Sequence, residues 1–469
     1  MIRITPNTAS ALANAQLQRN LRKTLGKACH SRDEATSEVS NWQELRQYAH
    51  DVKAHTLARL DHYLEQLESR VIEQGGQVIW AETAAQARDF VIELARQKQI
   101  GSVVKSKSML TEELHLNKAL EQAGIRPVET DLGEYIVHLA GVPPSHITGP
   151  ALHMSRQEIA QLMVEKVGMP PTEDPEEITM TVRRLLRRQF LSTRLGITGV
   201  NFAIAETGTI VVVENEGNAW LAASTPEIHV AIMGIEKVIP RVADLAVFLK
   251  LLTRSATGQK ITSYVNLMNG ARRSGETDGP EEFYLVLVDN GRSKILEDSF
   301  LRQTLACIRC GACLNVCPVY QSIGGHAYAS TYQGPIGAIL TPQLLSHRLA
   351  PEHPHASSLC GACYEVCPVK IEIPHILLKL RERGHRESEQ KGLNSRLEKW
   401  GMKVWAWTTA SPVRFNRAGR WLRLFQKPFQ KNGSLRIPFP PFSGWSRDRE
   451  LPSLPEKSFR QLYRKERDL

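Results

Sequence analysis

Seven of the eight cysteines in this chain fall between positions 307 and 367, and thiolates at that density are soft ligands for iron or zinc. The string CIRCGACLNVCP places Cys307, Cys310, Cys313 and Cys317 ahead of Pro318, the C-x2-C-x2-C-x3-C-P run that holds iron-sulfur cubanes. Its spacing has a physical reason. Three thiolates two residues apart on a tight loop can each reach one iron of a single cubane, while the fourth, set further along a starting helix, points toward a second cluster. Gly311 lets the backbone approach the sulfides and Pro318 ends the loop. A second string, CGACYEVCP, supplies Cys360, Cys363 and Cys367 with Pro368, and Ser357 stands where a leading cysteine would be. If ligands cross over between two such runs, one four-iron cluster takes Cys307, Cys310, Cys313 and Cys367 and the other takes Cys317, Cys360 and Cys363. The second set is one ligand short. A three-iron (3Fe-4S) cluster, a four-iron (4Fe-4S) cluster with a labile corner iron, or a non-cysteine ligand among Ser357, His353 and His355 would each account for it. Cys29, alone in a polar stretch, reads as an incidental thiol.

Nothing else in the chain signals redox chemistry. It has no G-x-G-x-x-G after a predicted strand, no P-loop and no His-rich haem site, so flavin or nicotinamide would have to come from a partner. The expectation is therefore a non-catalytic electron-transfer subunit of an oxidoreductase complex. Outside the cysteines, polar strings follow predicted strands at 105–113, 129–139, 143–153 and 205–210, where α/β sheets bind ligands. Lys107, Glu134, His146 and His153 could line a pocket there, and Glu206, Thr207 and Gly208 could form an anion-binding turn. The same residues could equally cap helices and close turns.

The elements that must position these groups are legible from periodicity. Leu45, Ala49, Val52, Leu57, Leu60, Tyr63 and Leu67 recur every three to four residues, which predicts one long amphipathic helix over 41–70. Apolar runs and helical stretches then alternate at 77–81, 85–96, 102–105, 111–123 and 134–139, as in a parallel or mixed sheet covered by helices. Residues 155–195 read as two helices parted by Pro170, Pro171 and Pro175, with Arg183, Arg184, Arg187 and Arg188 on a solvated face. The string at 199–218 reads as a hairpin hinged at Thr207 and Gly208. Further strands are expected near 228–233, 261–266 and 283–288. The segments that follow are an N-terminal extension (1–40), an α/β domain (41–295), a helical two-cluster module (296–385) and a basic Trp-rich C-terminal region (386–469).

At 42% hydrophobic and 23% charged residues over 469 positions, the chain can bury substantial cores. It has no apolar run of about 18 residues and no secretory signal pattern at its start, so the expected location is the cytoplasm. From Lys391 onward 18 lysines and arginines face 6 acidic residues, so the net charge of +10 belongs to this tail. Trp405, Trp407 and Trp421 alternate there with Lys403, Arg414, Arg417, Arg420 and Arg423, which suits the inner face of a membrane or an acidic partner. Nucleic acid is not expected, because no recognised binding module accompanies the charge. Pro438, Pro440, Pro441, Pro452 and Pro455 predict a loosely packed end.

Taken together, SKSMLTEE, PSHITGPALHMSR, GITGVNFAIAETGTIVVVENEGN and GGHAYASTYQGPIGAILTP, with the two cysteine strings, make the chain resemble the lactate-utilisation protein B family over nearly its whole length. The resemblance implies the iron-sulfur subunit of a three-protein bacterial system oxidising L-lactate to pyruvate. It implies an α/β lactate-utilisation (LUD) domain, similar in fold to sugar-phosphate isomerases and CoA transferases, ahead of a ferredoxin-like module. The seven-cysteine ligand pattern carries over, so the missing eighth cysteine looks like a family trait. The implied partners are a cysteine-rich subunit like those of heterodisulfide reductases and a smaller LUD protein, with a quinone-linked or protein acceptor. Another hydroxy-acid oxidation system, or an enzyme acting in the LUD pocket or at an open cluster iron, is the alternative.

Overall fold

The computed structural model describes residues 2–390, 396–431, 433–435 and 451–467. They divide into two compact units, Met1–Gly384 and His385–Leu469.

The first unit contains ten strands: β1 (Gln77–Ala81), β2 (Ser102–Lys105), β3 (Arg126–Glu129), β4 (Leu195–Gly199), β5 (Phe202–Ile204), β6 (Thr209–Glu214), β7 (Ile228–Gly234), β8 (Val238–Ile239), β9 (Tyr264–Met268) and β10 (Glu282–Val288). Six form a wholly parallel sheet in the order β1-β10-β7-β4-β2-β3. Parallel neighbours need crossovers, and helices such as Ala84–Gln97 and Pro175–Ser192 supply them. Every residue of the central strand β7 is buried, as expected of a sheet covered on both faces. Strands β8-β5-β6-β9 make a second sheet. Its β5–β6 hairpin turns where expected, with Gly208 at φ 72° and so close to Arg70 that a side chain there would clash.

Several expected elements differ. The helix foreseen over 41–70 is two, Trp42–Ala58 and Leu60–Glu73, broken at Arg59. The break turns one apolar stripe toward two cores, burying Leu57 in the core of the cysteine segment and Leu60 in the core under the parallel sheet. The helix over 111–123 is likewise split at His115, whose φ is 51°. Residues 134–139, read as a sheet element, lie in the helix Leu132–Ala140, because the Asp131 carboxylate accepts from Glu134 N at 2.9 Å and starts the helix there. The strand falls earlier, at β3, a sheet edge where Pro127 is tolerated. The first forty residues form the helices Thr5–Ala13 and Ala15–Ser37, with Leu21 and Leu25 each 1% exposed.

The cysteine segment is built from short helices: Ala312–Asn315, Pro318–Ile323, Gly334–Leu345 and Ala362–Glu365. Its core is continuous with Phe202, Phe248, Leu21 and Leu25, so apolar packing crosses the boundary expected at 295/296.

In the second unit, the helices Arg396–Thr409 and Pro412–Gln426 leave Trp400, Trp405, Trp407 and Trp421 more than 60% exposed. The Arg414 guanidinium lies 4.5 Å from the centre of the Trp407 ring. Pro438, Pro440 and Pro441 lie outside the described residues. Pro452 pairs with Ser434 in a short strand, and a helix follows at Phe459–Arg467. Among the described residues no helix is long and apolar enough to cross a membrane.

Candidate iron-sulfur centre

The 3-10 helix Leu301–Ala306 delivers the chain to Cys307. Arg309 (φ 62°) and Gly311 (φ 81°) then take left-handed conformations around Cys310, and the helix Ala312–Asn315 carries Cys313. The second loop repeats this backbone with Leu359 (φ 57°), Gly361 (φ 88°) and the helix Ala362–Glu365 carrying Cys363. A left-handed non-glycine residue costs about 1–3 kcal/mol and persists where its surroundings demand it. Alternating left- and right-handed residues turn successive N–H groups to one side, the concave nest common to anion and iron-sulfur sites.

The two loops match down to one hydrogen bond. Arg309 N donates to Cys307 Sγ at 3.4 Å, and Leu359 N donates to Ser357 Oγ at 3.1 Å. Ser357 therefore presents an oxygen where the first loop presents a sulfur. His353 is buried beside the Tyr328 ring, its pKa pushed down to about 4 by burial, while His355 is exposed.

No disulfide joins any of the cysteines, and their electrostatics fall into two groups bridged by Cys313. Burial raises the pKa of Cys310 and Cys313, and Cys307 raises both further. Cys367 is pushed up to about 11 by burial, offset by the backbone N–H of Ile371 and raised again by Cys307. Cys363 is pushed up to about 12 by burial and then by Cys317 and Cys360. Cys313 also feels Cys363, which puts it between the groups. Thiols packed this way resist ionisation unless cations neutralise them. Among the described residues no three His, Cys, Asp or Glu side chains are arranged to hold a single metal ion; a cubane is wider than an ion, and its ligands stand further apart.

A buried donor tests the fit to clusters. Tyr328 Oη is buried, has no hydrogen-bond partner, and feels the charges of Cys317 and Cys313. The Arg309 guanidinium feels Cys307. Cluster sulfides or ligating thiolates would satisfy the Tyr328 hydroxyl, so the residues suit the group. Arg46 braces the second loop, donating to Cys367 O from Nε (3.0 Å) and Nη2 (2.8 Å) and to Tyr364 O (3.2 Å).

The residues expected to line a pocket do not gather around one cavity. Lys107 alone of the seven lines the cavity at the carboxyl ends of β2, β4 and β7. Glu134 is buried in a cluster with Glu129 and Lys105, its pKa raised to about 8 by burial and then by Glu129. His146 accepts from Thr148 N at Nδ1 (3.1 Å) and so donates from Nε2 to Asn315 Oδ1 (3.0 Å), tying its loop to the first cysteine loop. Burial lowers it to about 4 and keeps it neutral. His153 bonds Ser145 Oγ and packs edge-on against His326. Glu206 accepts from Val242 N at the start of the helix Val242–Thr257, Thr207 bonds Thr209, and Gly208 makes the hairpin turn. These three close turns and caps.

Sequence reasoning missed Arg46, Lys237, Arg309 and Tyr328. Arg309 sits inside the cysteine string and could have been noticed; the others carry no local signal.

Family models match three stretches: the LUD domain over residues 64–288, a 4Fe-4S dicluster domain over 303–371, and the C-terminal region of lactate utilisation protein B over 379–468. Curated proteins called lactate utilization protein B align along most of the chain. That of Bacillus licheniformis is 44% identical over 431 residues, covering 92% of this chain and 90% of the relative. Those of Shouchella clausii and Anoxybacillus flavithermus are 45% identical, covering 92% and 91% of this chain and 90% of each relative. A solved DUF162 family protein from Deinococcus radiodurans aligns with 49% of this chain and 98% of its own at 12% identity and a TM-score of 0.28, a likeness too slight to argue from.

Proposed function

The chain belongs to the lactate utilisation protein B family, and from that premise we propose that it is the iron-sulfur electron-transfer subunit of a system oxidising L-lactate to pyruvate. That oxidation releases two electrons and two protons. Clusters bound at the two loops would supply one-electron carriers. Cys307, Cys310, Cys313 and Cys367 would hold one four-iron cluster, and Cys317, Cys360 and Cys363 the other, with Ser357 beside its open corner. The observation that supports the proposal is the pairing of two loops of one backbone design, each carrying its cysteines around left-handed turns and onto a short helix.

The chain's own residues act as a scaffold. Arg46 fixes the end of the second loop, the His146–Asn315 bond anchors the first to the LUD domain, and Tyr328 offers a donor to the thiolates. Substrate chemistry would come from partners: a cysteine-rich subunit like those of heterodisulfide reductases and a smaller LUD protein. The exposed Trp and Arg side chains of the C-terminal helices suit an acidic partner or an anionic membrane surface near a quinone-linked acceptor.

The test is anaerobic purification with iron and sulfide counting and electron paramagnetic resonance before and after dithionite. Two four-iron clusters require about eight irons and eight sulfides per chain and two interacting signals on reduction. An oxidised three-iron signal abolished by ferrous iron would identify a labile corner at the second loop. Absence of iron and sulfide from intact protein would reject the proposal.

A further inference from the structure

A cavity of about 300 Å3 lies at the carboxyl ends of β2, β4 and β7, where parallel sheets present their ligands. It is bordered on one side by the exposed Glu216, Thr257 and Gln259, and on another by Arg309 and Cys310 of the first cysteine loop. The acids in its wall are already engaged. Glu214 accepts from Ala219 N, Trp220 N and Asn266 Nδ2 at 2.6–2.8 Å. Glu236 accepts from Arg292 Nε at 2.7 Å and from Arg309 Nη2 at 3.5 Å, and Asp131 caps a helix.

The cations are not all used. Among the described residues, Lys107 and Lys237 have no hydrogen-bond acceptor or ion-pair partner. The Arg309 side chain is 9% exposed, and its Nη1 has no acceptor. Three cationic side chains with unused donors thus face one small cavity, while Ile147 and Leu252 give it an apolar side. Two half-buried lysines without partners beside a buried guanidinium favour an anion, and the apolar side suits a short carbon chain better than a bare inorganic ion.

We propose that this cavity binds a small monocarboxylate, a 2-hydroxy acid or its 2-oxo counterpart, with the carboxylate held by Arg309 and Lys237 beside the first cysteine loop. The choice of acid rests on the function proposed above; the anion site rests on the geometry alone. A competing account is that these cations only balance the charge of the cysteine loop, in which case no small acid binds.

The experiment uses the full chain, loaded with clusters under anaerobic conditions, titrated calorimetrically with L-lactate, pyruvate and inorganic phosphate. Paramagnetic resonance of the reduced protein is recorded in the same samples. One of the two acids binds saturably and shifts the resonance of the first-loop cluster; which acid does so identifies the ligand state. Lys237→Met weakens that binding about tenfold or more at unchanged iron content. Should that variant lose iron, Lys107→Met, which also lines the cavity, must show the same weakening. The proposal is overturned if neither acid binds, if phosphate binds more tightly than both, or if the variant that keeps its iron keeps full affinity. Intact, reducible clusters without acid binding reject this inference alone, whereas missing clusters reject the electron-transfer function.

Discussion

The two cysteine loops share a backbone and differ in everything around it. A methyl group at Gly311 would meet His146, Ile147 and Thr148 of the LUD domain at 3.7–3.9 Å, whereas one at Gly361 would meet nothing within 4 Å. Cys310 is buried and Cys360 is exposed. Lys53, Lys237 and Arg309 all feel Cys307, while Cys363 responds chiefly to burial, Cys317 and Cys360. Loops of one backbone design would therefore hold clusters in unlike fields. Positive charge close to the first loop favours an added electron there, so its cluster is expected to be reduced at the higher potential. A potentiometric titration of the two resonance signals measures the order, and reduction of the second-loop cluster first would reverse the comparison.

Removing one ligand from each loop should give the largest contrast. We predict that Cys310→Ala loses the first-loop cluster and lowers the unfolding midpoint, because that thiol lies within the shared core. Cys360→Ala should keep about half the iron and a near-native midpoint. Equal damage from both would show that exposure does not separate the loops.

Arg46→Met comes next. It strips hydrogen bonds from Cys367 O and Tyr364 O and should cost about 2–4 kcal/mol in denaturant unfolding, as for charged bonds to buried carbonyls. An unchanged unfolding midpoint would mean that the brace is idle.

Ser357→Cys tests the position where the second loop lacks a cysteine. It should make the second-loop cluster resist oxidative loss of iron and suppress any three-iron signal, leaving the first-loop signal alone. If the three-iron signal persists, the Ser357 position does not face the corner iron.

The last effect should leave both loops untouched. Glu134 is raised from 4.5 to about 8 by burial and then by Glu129. Between those pH values the native state holds a proton that the unfolded chain has released, so stability should fall as pH rises through that window, by about 2–4 kcal/mol. Glu134→Gln should flatten the slope without changing iron content. A slope unchanged in the variant would place the titration elsewhere.

Much of this was legible in the residues themselves. The strand-helix alternation, the β5–β6 hairpin and the proline-parted helices follow from periodicity and turn chemistry, which are local. The break at Arg59 was not legible, because the apolar stripe runs unbroken through it, and only the presence of two cores on either side divides the helix. The helix Leu132–Ala140 was missed because a short apolar run reads equally as strand or helix, and the Asp131 cap decided it. The residues named for a candidate pocket lie apart, because loop position alone does not say which strand ends lie side by side.

Ligand type and spacing belong to the sequence, since both cysteine loops and the serine at the eighth position are set within stretches of about a dozen residues. Environment belongs to the tertiary structure. Arg309 and Lys237 are 72 positions apart in the chain, and Arg46 is over 300 from the carbonyl it braces. Only the folding of the LUD domain over the first cysteine loop brings such charges to bear, because an electrostatic field depends on distance in space and carries no record of distance along the chain.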